Sequence, residues 1–163
     1  MSYLKVTTGI FLALAVSRFL PHPPNFTSLI SLSFYIPIFF GISYIPIVIV
    51  SFAITDIFFG FHSSLFFTWG SVLFIGLISK YFKSTILKRF SGIFCSVMIF
   101  FIFSNFGVWL SGIYDFTAQG LIECYLLAIP FMFNNLVSSV IFASIIEAIY
   151  GTYNKINFKQ LIK

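Results

Sequence analysis

The sequence predicts an all-α membrane protein, a bundle of about six transmembrane helices forming one domain over 1–163. Three observations predict it. Of the residues, 60% are hydrophobic and 8% are charged, a balance that belongs in a bilayer. The apolar stretches are continuous, as in 91–110, and lack the period-two alternation of a membrane β-barrel. The basic residues gather at the ends of those stretches, where they set topology rather than bind nucleic acid.

A helix needs about 20 apolar residues to cross the hydrocarbon core. The first span is read at 3–20. Ala13-Leu-Ala15 faintly resembles a signal-peptide cleavage site, but the apolar run continues to Leu20. A stiff polar segment follows, Arg18-Phe-Leu-Pro-His-Pro-Pro-Asn-Phe-Thr27, whose prolines preset φ and resist helix. The second span, 27–42, carries Pro37, and the third, 44–61, starts near Pro46. The tight turn at Gly41-Ile-Ser-Tyr44 makes these two an antiparallel hairpin. The fourth and fifth spans are read at 65–83 and 90–111. In 112–130, Glu123 and Pro130 break a run too short to cross. That stretch is an interfacial helix, a re-entrant helix or an extension of the last span, 131–152. A short basic tail, 154–163, closes the chain.

With both termini inside, Lys5, Lys80, Lys83, Lys88, Arg89, Lys155, Lys159 and Lys163 fall on the inner side and Arg18 alone on the outer. Eight of nine basic residues then obey the positive-inside rule.

This orientation collects the unusual polar groups at the outer face. Arg18, His22, Asn25 and Thr27 lie in the first linker, Thr55 and Asp56 at the end of the third span, and His62 just after it. Asn105 and Trp109 lie in the outer half of the fifth span, Asp115, Gln119 and Glu123 in the last outer segment, and Asn134 and Asn135 at the start of the sixth span. Charges at membrane depth are costly and face a partner, water or a ligand. Asp56 reads equally as a pocket acid and as half of a structural ion pair with Arg18. Asn105 fits a ligand contact or a helix–helix hydrogen bond, and Trp109 a pocket wall or a belt aromatic. Asn134 and Asn135 fit a helix cap or a ligand contact. The candidate substrate-binding set is Arg18, His22, Asn25, Asp56, Asn105, Trp109 and Asn134. His22 and His62 lack metal-site spacing, and Cys95 and Cys124 read as small core residues.

Glu147 stands apart, near the inner end of the last span, on one helix face with Ser139 and Ala143. Gly9, Ala13 and Ser17 share a face of the first span. Small residues at this spacing let helices approach closely, either within the bundle or against a partner. The chain has no phosphate-binding glycine loop, no zinc-protease motif and no nucleophile elbow, so neither an enzyme nor a cofactor is expected.

Four segments resemble an uncharacterised family of small bacterial polytopic membrane proteins: Arg18–Thr27 as quoted, Asp56-Ile-Phe-Phe-Gly-Phe-His62, Asn105-Phe-Gly-Val-Trp-Leu110 and Cys124-Tyr-Leu-Leu-Ala-Ile-Pro-Phe-Met-Phe-Asn-Asn135. The chain departs from that family at Ser28, where Pro is common, and at Ser138 and Ser139, where an acid is common. The family is similar in size and span count to the S-components of energy-coupling-factor transporters. That likeness implies an S-component-like bundle binding a micronutrient such as a vitamin at the outer side, under a loop after the first span. It also implies a transmembrane coupling subunit with ATPases, docked on an Ala-x-x-x-Ala face that Ala13-Leu-Ala-Val-Ser17 resembles with Ser in the last place.

The sequence therefore points to a multi-pass protein of the bacterial inner membrane, both termini cytoplasmic, binding a small solute for energy-coupled uptake. The alternative is a non-transport membrane subunit or assembly factor whose polar face binds a protein. The lipid bilayer is a partner in either case, and nucleic acid in neither.

Overall fold

The computed structural model describes residues 3–161, with side-chain surroundings for 3–153. The side chains of Lys155 and Lys159, and Lys163 altogether, lie outside the described residues, so three of the inner charges in the topology count do too. Among the described residues the fold is all helical. The helices are α1 (Tyr3–Phe19), α2 (Leu29–Phe40), α3 (Ile45–Phe59), α4 (Leu65–Ile78), α5 (Ile86–Leu110), α6 (Ala118–Leu127) and α7 (Ile129–Leu161). Single turns of 3-10 helix precede α3 at Ile42–Tyr44 and follow α4 at Ser79–Phe82.

Four helical stretches are long and apolar enough to cross a membrane: Ile42–Phe59, Leu65–Phe82, Ile86–Leu110 and Ile129–Tyr153. The molecule is thus a membrane-type helical protein. The first and second expected spans come out shorter, at 17 and 12 residues. At about 1.5 Å per residue α2 covers about 18 Å, against about 30 Å of hydrocarbon. Its surroundings explain how so short a helix is accommodated. Nine consecutive residues, Leu29–Pro37, are buried on every face, and α2 touches α1, α3, α4, α5 and α7. It is the axis of the bundle, with Phe34 and Tyr35 wholly enclosed.

Local chemistry sets the other boundaries. The Thr85 side chain caps α5 by accepting from the Lys88 backbone N–H at 3.2 Å, so the helix begins at Ile86 and takes Lys88 and Arg89 into its first turn. Thr117 caps α6 in the same way, accepting from Gly120 N–H at 3.0 Å. Only Ala128 separates α6 from α7, and Pro130 occupies the first turn of α7, where a missing N–H costs nothing. Cys124 Sγ contacts Asn105 O at 3.4 Å and the Tyr125 hydroxyl donates to Ile102 O at 2.6 Å, so α6 runs back along α5. Of the three readings of 112–130, the structure has Ala118–Leu127 leading almost directly into the last helix.

Close packing between α2 and α5 depends on Gly92. A Cβ there would collide with the Phe34 ring and come within 2.8 Å of Phe82 Cγ. At Gly9, by contrast, a Cβ meets nothing. Gly92→Ala is expected to lower stability by about 1–3 kcal/mol through overpacking. Gly9→Ala should be neutral or gain up to about 1 kcal/mol from helix propensity. Thermal unfolding of the two purified variants in detergent checks this; equal melting would show that α2 and α5 do not meet at Gly92.

Candidate functional site

The charges separate by end. Lys5, Lys80, Lys83, Lys88 and Arg89 lie where α1 and α5 begin, and Arg18 lies at the opposite end with the Pro-rich linker. At that end Arg18 and Asp56 meet. Arg18 Nη1 donates to Asp56 Oδ1 at 2.7 Å, to Phe52 O at 3.3 Å and to Thr55 Oγ1. The guanidinium lies 4.6 Å from the Phe52 ring centroid and 4.9 Å from that of Phe59, distances at which the rings attract a cation. Asp56, 1% exposed, accepts on its other oxygen from Trp69 Nε1 at 3.0 Å. Both carboxylate oxygens are therefore occupied, and Asp56 anchors Arg18 from below. All three Arg18 bonds use Nη1, so Nε and Nη2 have no acceptor among the described residues.

Above this pair lies a cavity of about 480 Å³, within the range of small-molecule sites. Residues of the linker and of α1 through α7 line it. His22 and Asn25 form part of its linker wall. Asn25 stands at φ +63°, a conformation asparagine tolerates, and this turns the chain back toward α2. His22 ring nitrogens lie 2.7 Å from Pro23 O and 3.2 Å from Arg18 O, which folds the linker onto the end of α1. Asn105 donates to Phe101 O at 2.7 Å and keeps its own amide oxygen for the cavity it lines.

Three of the sequence candidates do not line the cavity. Asp56 lies beneath it. Trp109 donates to Asp115 O at 2.9 Å and packs on Phe106 and Phe116, holding the loop between α5 and α6. Asn134 donates to Pro24 O at 3.0 Å and ties α7 to the linker. Its neighbour Asn135 takes the cavity position. Asn135 is 6% exposed, and among the described residues its amide has no hydrogen-bond partner. Among the described residues the one fully buried side-chain polar atom without a partner is Ser139 Oγ, so the Asn135 amide keeps accessible surface, and it is on the cavity wall. Thr68 and Ser104, not picked out from sequence, also line the cavity, each donating to its own helix backbone and keeping acceptor capacity.

A family profile described as a family of unknown function (DUF6580) matches residues 2–161. The chain belongs to this family. The match agrees with the resemblance to an uncharacterised family, and it has no bearing on the likeness to S-components. No curated protein and no solved structure matches the chain.

At the lysine-bearing end this DUF6580 chain holds a second buried pair. Arg89 Nε and Nη2 grip both oxygens of Glu147, at 2.5 and 2.8 Å, and the Tyr35 hydroxyl donates to the same carboxylate at 2.8 Å. Ser139 and Ala143, on the same face as Glu147, are wholly buried, and Ser31 of α2 donates to Ser139 O at 2.9 Å. That face is internal packing. Gly9 and Ala13 on α1 are exposed, whereas Ser17 turns inward to Ser28 at 2.8 Å. The small-residue face of α1 is thus two residues wide.

Proposed function

We propose that this protein binds a small solute in the cavity under the Pro-rich linker, as the substrate-binding subunit of an uptake system in the bacterial inner membrane. The observation that carries this reading is Asn135: its amide makes no hydrogen bond among the described residues, and it stands on the wall of a cavity of about 480 Å³. An empty cavity is lined with apolar groups, whereas polar groups on a wall take up water or a solute. In this reading α1 and α2 join the four longer helices as six passes, with both termini on the cytoplasmic side with Lys5, Lys80, Lys83 and Lys88. The chain carries no nucleotide-binding loop, so energy comes from a separate coupling subunit with ATPases. The exposed Gly9 and Ala13 favour α1 as its docking face.

The same exposed face favours the second reading, a non-transport subunit or assembly factor. One experiment separates them. Protein purified from membranes is extracted and its small molecules are identified by mass spectrometry, alongside Asn135→Leu. A solute retained by the native chain, and bound at least about ten-fold less by the variant, is expected from a lost buried hydrogen bond. Failure of any solute to co-purify, together with no stabilisation by a metabolite extract, would end the solute reading.

A further inference from the structure

Resting on that reading of the cavity, we infer that its solute is a small carboxylate with an apolar body and an amide-like polar group, its carboxylate held by Arg18. The charge of the lining argues first. Among the described residues the cavity wall includes no carboxylate: Asp56 is not part of it and has both oxygens bonded, Asp115 and Glu123 are exposed outside it, and Glu147 is paired with Arg89 at the other end. A cationic solute would therefore leave water for a site without a counter-charge, which is strongly unfavourable.

The geometry of Arg18 argues second. Its Nη1 is committed to Asp56, Thr55 and Phe52, and its plane is held near the Phe52 and Phe59 rings. The free Nε and Nη2 form the side edge of the guanidinium, two parallel N–H donors matching the two oxygens of a carboxylate. Because the side chain is already fixed, binding costs little further rotamer entropy. The other walls set the remainder of the solute. Phe100, Phe101 and Phe131 supply apolar area, while the Asn135 amide and Asn105 Oδ1 offer a donor and acceptors to a neutral polar group.

Hippurate (N-benzoylglycine) carries a ring, an amide and a carboxylate, and is the probe. Its methyl ester removes the charge, and N-(2-aminoethyl)benzamide reverses it. Calorimetric titration of the full chain in detergent should rank hippurate about ten-fold or more above the ester, the gain of a charge-assisted bidentate contact, with the amine weakest. In Arg18→Gln/Asp56→Asn, which removes both charges together, hippurate and ester should bind alike. Asn135→Leu should weaken both. Laurate, a carboxylate with nothing to offer Asn135, tests a lipid source: laurate binding above hippurate and indifferent to Asn135→Leu overturns the amide part of the inference. Ester equal to hippurate, both weakened by Asn135→Leu, overturns the carboxylate while the solute site stands. No binding of hippurate at millimolar concentration overturns the inference, and the co-purification experiment then judges the cavity on its own.

Discussion

Asp56→Asn is expected to destabilise the protein by about 3–5 kcal/mol, the cost of leaving one member of a buried ion pair without its partner. Asp56 is 1% exposed, so little water reaches the place of the lost carboxylate, although Arg18 at 15% keeps an edge on the cavity. The amide would also present an N–H to one of the two groups that now donate to Asp56, Arg18 Nη1 or Trp69 Nε1. Arg18→Gln should cost a similar amount, because it strands Asp56. The double variant should regain most of the stability and still fail to bind a carboxylate, because Arg18 lines the cavity as well as pairing beneath it. Equilibrium unfolding and ligand titration of the three variants separate the two roles. A single variant that melts within about 0.5 kcal/mol of the native protein would mean that the side chains reach water after all.

Glu147→Gln should be comparably damaging, again by about 3–5 kcal/mol. The Glu147 carboxylate takes two bonds from Arg89 and one from Tyr35, with Arg89 13% and Glu147 8% exposed. This pair does not line the cavity. An apolar replacement of the cluster, Arg89→Met/Glu147→Leu with Tyr35→Phe, should therefore recover stability and leave solute affinity unchanged, in contrast to the pair at the other end. Loss of affinity in that triple variant would show that the two ends are coupled.

These two pairs were unequally legible in the sequence. Among the described side chains Arg18 is the one basic residue away from the lysine-bearing end, and Asp56 ends a predicted span on the same side, so charge and topology alone suggest their meeting. Arg89 and Glu147 are 58 residues apart. Arg89 reads as one more topological charge, although an acid near the basic end of the last span, below Ser139 and Ala143, is a usable signal. The asparagines show a finer limit. Neighbouring helical positions differ by about 100° in direction, so which of Asn134 and Asn135 faces the cavity depends on the rotation of α7, which its packing decides. Here Asn134 holds the linker and Asn135 faces inward. The boundaries of α2 were partly visible in Pro37 and Gly41, but its central position was not. Its strong apolarity reads the same whether lipid or protein surrounds it.

That central position bears on how the chain is made. In the six-pass reading a helix of about 18 Å falls short, on its own, of the roughly 30 Å of hydrocarbon. Leaving the insertion machinery alone, α2 would drag backbone and linker polar groups into lipid or thin the membrane around itself. Its nine enclosed residues find their surroundings only when later segments, α4, α5 and α7, have arrived. In that reading closure of the bundle is delayed, an early segment of the chain waiting for late ones to wrap it.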